Sequence, residues 1–272
     1  VIHKLIIDTL ILGFLLASAA GLIAWKAGAL SSSGALAACL TGTLIFGLGG
    51  LPWAVLLLTF FISSSLLSRT FAGRKAALNE KFSKGSRRDW GQVFANGGLG
   101  ALLAVAYIFL GEHSGLWFAF VGAMAAVNAD TWSTEVGVLS TAPPRLITTG
   151  RIVERGTSGG ITWLGTFASL SGAVLIGLVA WLLRPEGTFV QVVGAAAVAG
   201  LAGSLFDSLL GATVQAVYRC PVCGKETERH PYHTCGTGTV HVRGWSRLGN
   251  DEVNFLCSLA GAGSALLLWL LL

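Results

Sequence analysis

Residues 189–215 read FVQVVGAAAVAGLAGSLFDSLLGATVQ, and the one ionisable side chain in this run is Asp207. Crossing about 30 Å of hydrocarbon at about 1.5 Å per residue takes roughly 20 apolar residues. The stretch is therefore long enough to span a bilayer as a helix, and the small residues that fill it suit close helix contact in lipid. Working outward, seven more such runs appear at residues 5–25, 31–50, 52–68, 92–111, 114–132, 161–183 and 253–272. The pattern predicts an all-α, polytopic transmembrane bundle of about eight spans. It forms one domain over 1–272, with a Cys/His-rich loop at 218–249 inserted before the last span. Composition agrees, since 53% of residues are hydrophobic and 11% charged, where soluble domains carry about a quarter charged. Residues Gly49 to Pro52 leave the second and third spans as either a tight hairpin or a shorter re-entrant pair.

The net charge of +5 has its meaning in where the basic residues fall. Alternating eight spans puts every Lys and Arg except Lys4 and Arg184 on one side. The positive-inside rule makes that side cytoplasmic and both termini external. A topology signal of this kind removes the need for a nucleic-acid partner. Ala17, Ser18 and Ala19 resemble a signal-peptide cleavage site, but only His3 and Lys4 precede the run and Asp8 interrupts it. The first span is therefore expected to be retained.

Ionisable groups inside apolar spans are costly and mark function. The fifth span closes on Asn128, Asp130, Thr131, Thr134 and Glu135, the seventh carries Asp207 with Ser208 and Gln215, and the eighth opens on Asn250, Asp251, Glu252 and Asn254. For Asp251 and Glu252, favourable interaction with the helix dipole is a sufficient alternative reading. The fifth and seventh spans read as weak internal repeats, each followed by a basic loop and a polar helix start. Carboxylates facing Arg and Lys beside Gly156 to Gly160 (GTSGG) suit phosphate and a divalent cation. Mg²⁺ takes carboxylate and phosphate oxygens, and backbone amides at a helix start bind anions. The glycine stretch reads equally as helix packing.

Cys220, Pro221, Val222, Cys223, Gly224 and Lys225 form a C-P-x-C-G-K knuckle, with His230, His233, Cys235 and His241 in the same loop. Cys220, Cys223, His233 and Cys235 would complete a tetrahedral structural zinc site, with a redox pair or free thiols as the alternatives.

Taken together, GQVFANGG (91–98), NADTWSTEVG (128–137), GTSGG (156–160), DSLLGATVQ (207–215) and NDEVN (250–254) resemble the integral-membrane family that contains the chloroplast phytyl-phosphate kinase of vitamin E biosynthesis. The resemblance implies transfer of a nucleotide γ-phosphoryl group, CTP being one candidate donor, to a prenyl or phytyl monophosphate at the cytoplasmic face. On that reading Asp130, Asp207 and Asp251 hold Mg²⁺ and are catalytic. Lys75, Arg88, Asn96, Asn128, Glu135, Arg155, Thr157, Ser158, Gly159, Gly160 and Asn254 bind phosphate or substrate. Two other readings stay open: a transporter or flippase of an anionic lipid or solute, and a lipid-alcohol kinase or cytidylyltransferase. The topology yields a first expected outcome. Single cysteines placed at Glu80, Gly150 and His230 will react only with reagent supplied from the cytoplasmic face, and modification from outside at any of them would refute the span count.

Overall fold

The computed structural model describes the backbone of residues 2–75, 81, 87–111 and 113–271, and the side chains of all of these except 2–5, 74 and 75. Eight long helices run α1 (Ile2–Lys26), α2 (Ser32–Gly49), α3 (Leu51–Thr70), α5 (Trp90–Phe109), α6 (Ser114–Gly137), α7 (Trp163–Leu183), α8 (Phe189–Thr213) and α9 (Asn250–Leu271), with a single turn, α4 (Ala72–Lys75), after α3. Seven of the long helices have the length and apolarity to cross a membrane. The chain is an integral, multi-pass membrane protein. Local chemistry sets several helix starts. Ser31 caps α2 by accepting from the Gly34 amide at 3.1 Å, while Asp89 with Gln92 and Thr188 with Gln191 form capping boxes on α5 and α8. Gly50, at φ +81°, ends α2 and starts α3, with Pro52 in the first turn. The second and third spans are thus a tight hairpin of two full-length helices rather than a re-entrant pair.

The eighth long helix, α6, falls short of that apolarity for a physical reason: it is the centre of the bundle. It packs on α3, α5, α7, α8 and α9, and residues 117–129 are buried without a break. A helix that meets other helices instead of lipid can carry polar side chains. The approach is close because the contacts are glycines and alanines. Gly122 of α6 lies against the Gly261 carbonyl and Ala265 of α9. Gly203 of α8 lies against Ala126 of α6 and the Cys257 carbonyl of α9. A methyl group at either glycine would collide with backbone, so part of the glycine content is spent on this three-helix contact. At the end away from the long loops, Trp53 stacks on Phe120 at 4.2 Å. Arg184 donates to the Tyr107 hydroxyl at 2.7 Å and lies over the Trp117 ring.

One face of α6 is fastened to α3 by hydrogen bonds. Asn128 is fully buried; its Oδ1 accepts from the Ser63 and Ser64 hydroxyls at 3.0 and 3.2 Å, and its Nδ2 donates to the Gly172 carbonyl at 2.8 Å. Two turns on, Glu135 accepts from Ser68 at 2.7 Å.

Three expectations change. The fifth span, expected at 114–132, runs on as helix to Gly137, so Glu135 is helical. Residues Gly156 to Gly160 are not a helix start, because α7 begins only at Trp163 with Thr162 as its cap. They belong instead to a loop closed by the two-stranded pair β1 (Arg145–Leu146) and β2 (Gly160–Ile161). The Cys/His loop, for its part, holds an antiparallel sheet in the order β4-β3-β5, from β3 (Val217–Arg219), β4 (Glu226–Thr227) and β5 (Val240–Arg243).

Asn128→Ala removes three interhelical bonds at once and leaves the Gly172 carbonyl buried without its donor. Each such bond is modest in a membrane, so the expected loss is about 1–2 kcal/mol, read as a lower unfolding midpoint in detergent. An unchanged midpoint would contradict the role given to this side chain.

Candidate active site

Asp130 lies seven residues before the end of α6 and Asp207 six before the end of α8. Both line a cavity of about 140 Å³ at the end of the bundle that carries the long loops. It is lined by the last turns of α6 with Ser133, Thr134 and Gly137, the end of α8 with Ser208, the loop from Ala142 to Thr162, the start of α9 with Asn250, and Gln215 and Glu228 between α8 and α9. Asp207 Oδ2 is buried and has no hydrogen-bond partner among the described residues. Each aspartate lies within the electrostatic field of Glu228, and Asp207 within that of Asp130 as well. Cys257, buried on α9, is within reach of both.

The glycine-rich loop sits directly on the last turn of α8. Gly159 adopts φ +83°, and a Cβ there would come within 2.5 Å of the Ala212 Cβ and amide nitrogen. The Ser158 hydroxyl donates to Gln215 Oε1 at 2.7 Å. Within the loop, the Thr157 amide donates to the Glu154 carbonyl at 3.1 Å and the Gly160 amide to the Thr157 carbonyl at 3.0 Å. Among the described residues the amides of Ser158 and Gly159 make no such turn bond, and the Gly159 nitrogen lies against Gly211 of α8. Arg155 also lines the cavity, but its guanidinium holds the loop by donating to the Ser140 and Thr141 carbonyls at 2.6 and 3.3 Å.

The expected site residues therefore divide. Asp130, Asp207, Arg155, Thr157, Ser158, Gly159 and Gly160 come together around one cavity. Asp251 does not join them. It lines an adjoining cavity of about 180 Å³ with Tyr218, His230 and Gly249, and only Glu228 and Asn250 are common to both. Asn254, one turn further along α9, lines neither. Asn128 and Glu135 point to the opposite face of α6, toward α3. Arg88 donates to Ser65 at 2.8 Å and lies over the rings of Phe60 and Phe61. Burial pushes its pKa down to about 10, against the pull of Glu135. With Gln92 and Asn96 it supplies polar groups to an otherwise apolar groove of about 300 Å³ between α1, α2, α3 and α5. The side chain of Lys75 lies outside the described residues. Sequence reading missed Glu228 altogether, because a lone acid in a basic loop carries no pattern that would single it out.

Around the Gly156–Ser158 turn, the inner cavity adjoins an outer one of about 730 Å³. Gly156, Thr157, Ser158 and Glu228 line both, and Lys81, Arg219, Lys225 and Arg243 line the outer. Its far wall is the Cys/His loop. There the ligand atoms of Cys220, Cys223, His233 and Cys235 all lie within 4.8 Å of one another. The Cys220–Cys235 sulfur separation is 3.6 Å, and His233 Nδ1 is 3.3 Å from Cys235 Sγ. A tetrahedron with Zn–S bonds of about 2.3 Å has edges of about 3.8 Å, so the cluster has the size and donor set to hold a metal such as zinc. The hydroxyl of Thr237, followed by His233, brings the Cys235 thiol down to about 5, while its sulfur neighbours Cys235 and Cys220 push Cys223 up to about 11.

The sequence matches the family described as Integral membrane protein DUF92 over residues 15–262. It is 34% identical to Protein PGR of Arabidopsis thaliana, covering 92% of each chain. It is 38% identical to an uncharacterized membrane protein of Methanocaldococcus jannaschii, over 69% of this chain and 75% of that one. To Protein VTE6, chloroplastic, of Arabidopsis thaliana it is 29% identical, over 68% of this chain and 56% of the other. No solved structure matches it significantly.

Gly159→Ala tests the seating of the loop. A left-handed backbone costs a residue with a Cβ about 1–2 kcal/mol, and the contact with Ala212 adds to that. The variant is expected to melt lower and to expose the 150–160 segment to proteolysis, whereas wild-type resistance would show that the loop does not rest on α8.

Proposed function

Because the chain belongs to the DUF92 integral membrane family, and because its inner cavity sets Asp130 and Asp207 against a glycine-rich loop, we propose that it is a membrane-embedded isoprenyl-phosphate kinase working at the cytoplasmic face. It transfers the γ-phosphoryl group of a nucleoside triphosphate to a prenyl or phytyl monophosphate and gives the diphosphate. The observation that carries the reading is Asp207, whose Oδ2 is buried without a hydrogen-bond partner among the described residues, in a cavity shared with a second carboxylate, Asp130. Burying such charge is expensive unless a cation or a phosphate-bound metal joins it. The similarity to VTE6 supports the same reading.

The residues fit the reaction step by step. Asp130 and Asp207 supply the one or two carboxylates that Mg²⁺ takes alongside substrate phosphates. When bound, that ion offsets the charge of the two phosphates that must approach each other. The outer cavity has room for a nucleotide, with Arg219, Lys225 and Arg243 around it. From there the triphosphate passes the Thr157–Ser158 turn, where the Ser158 amide meets its oxygens. An oxygen of the acceptor monophosphate attacks the γ-phosphorus, the bond from that phosphorus to the β-bridging oxygen breaks, and the nucleoside diphosphate leaves. A phosphate monoester is already an anionic nucleophile, so positioning and charge compensation do most of the catalysis and no strong base is required. Phe206 and Leu209, exposed beside Asp207 and Ser208 on α8, put lipid-facing surface next to the cavity for the isoprenoid chain.

Purified protein incubated with Mg²⁺, a panel of nucleoside triphosphates and prenyl monophosphates of graded length is expected to form diphosphates. Asp207→Asn, which keeps shape but removes charge, is expected to lower the rate by about 10²-fold or more without loss of folding. Near-normal turnover by this variant, or no transfer from any pair by wild type, would refute the assignment.

A further inference from the structure

Glu228 lines the inner cavity, the outer cavity and the small cavity of Asp251. No other acidic side chain is shared by all three among the described residues. It arrives from outside the helical bundle, one residue past β4 of the Cys/His loop. Its Oε1 accepts from Gln215 Nε2 at 3.0 Å, and Gln215 Oε1 accepts from the Ser158 hydroxyl at 2.7 Å. Its amide donates to the Lys81 carbonyl at 2.9 Å. A continuous chain of contacts therefore joins the Cys/His loop, the end of α8 and the glycine-rich loop at the cavity wall.

We propose that Glu228 is the third carboxylate of a divalent-cation site with Asp130 and Asp207, and that metal in the Cys220, Cys223, His233 and Cys235 cluster governs that site by fixing where Glu228 stands. This rests on the reading of the inner cavity as a place for phosphate and Mg²⁺. Glu228 lies in the chain between the two halves of the cluster: Cys220 and Cys223 in the β3–β4 turn precede it, and His233 and Cys235 in the β4–β5 connection follow it. A cation held at bond lengths of about 2.0–2.3 Å ties both ends of the 220–235 segment together and leaves its middle little freedom. Without a cation in the cavity, three carboxylates would face one another in a closed space, an arrangement that like-charge repulsion disfavours. Asp207 Oδ2, buried and without a hydrogen-bond partner among the described residues, is the atom that such a cation would meet. Among the described residues these carboxylates do not close to within 4.8 Å of one another as the Cys/His ligands do. Direct ligands at about 2.1 Å from one Mg²⁺ lie no more than about 4.2 Å apart, so at this spacing at least one of the three would hold the ion through one of the waters it keeps.

Mn²⁺ binding to the full, zinc-containing chain in detergent, followed by electron paramagnetic resonance of the free ion, tests this directly. Wild type is expected to hold one Mn²⁺ per chain in the cavity. Asp207→Asn abolishes it, and Glu228→Gln weakens it about tenfold or more, the scale on which supporting groups act at metal sites, with zinc content unchanged. Glu228→Asp recovers part of the affinity, and Glu226→Gln, which removes a charge paired with Arg219 in the same loop, leaves it alone. Cys235→Ser, which empties the thiolate cluster, weakens Mn²⁺ binding in wild type but adds nothing in the Glu228→Gln background, the non-additivity expected of two changes acting through one group. Undiminished Mn²⁺ affinity in Glu228→Gln, or an undiminished penalty from Cys235→Ser in that background, would overturn the proposal, as would a wild-type chain that binds no Mn²⁺. A chain that binds Mn²⁺ in this pattern yet transfers no phosphoryl group would refute the kinase reading and leave this one standing.

Discussion

Everything in this molecule depends on keeping one polar helix out of lipid. α6 carries Asn128, Asp130 and Glu135 in a chain that is otherwise apolar, and such residues at membrane depth are tolerated only where protein or trapped water meets them. Five helices surround α6, and α8 and α9 come close enough to do so because glycine and alanine occupy the contacts at Gly122, Gly203 and Gly261. With the helix enclosed, its two sides do different work. Asn128 and Glu135, seven residues apart and so on one face, bind the serines of α3 and hold the bundle together. Asp130 faces the other way, into the inner cavity.

Helices alone do not finish that cavity. Its floor is helical, but its wall and roof come from the 142–162 loop and the Cys/His loop. Each is pinned to the end of α8 by backbone. Gly159 rests against Ala212, and Gly244, at φ +80°, lies where any side chain would strike the Gln215 carbonyl. The Arg243 guanidinium donates to the Ala212 carbonyl. The last turn of α8 is therefore the common seat of both covering loops, and any movement of one is felt by the other through Ser158, Gln215 and Glu228.

The helices could be read from the sequence because apolar length is a property of continuous segments. Asp130 and Asp207 could be read because a charge inside such a segment is costly wherever the helix goes. Asp251 stands in the neighbouring cavity for a different reason. Hydropathy places a helix start to within a few residues, which is not enough to fix which way a first-turn side chain faces, and Asp251 turns toward Tyr218 and His230. Polarity in a span groups Asn128 with the site, and a basic charge in a cytoplasmic loop does the same for Arg88, whereas both side chains bond to serines of α3. The Cys220, Cys223, His233 and Cys235 set was legible from ligand count and spacing, and the structure draws those four atoms together. Glu228 was not legible, since its position follows from a loop fold that no periodicity encodes.

Two kinds of ligand chemistry stand side by side at this end of the molecule. Thiolate and imidazole select zinc, while carboxylate and phosphate oxygens select magnesium or manganese. Had the cysteines lined the inner cavity, its ligands would favour zinc over an ion that prefers oxygen. With the soft ligands in the loop wall and the hard ones on α6 and α8, the two centres would select different ions. Glu228 is the side chain on which these two requirements meet. It belongs in sequence to the sulfur-rich loop and in space to the carboxylate cavity, so an ion held by the cluster would position a group of the cavity without sharing a ligand with it.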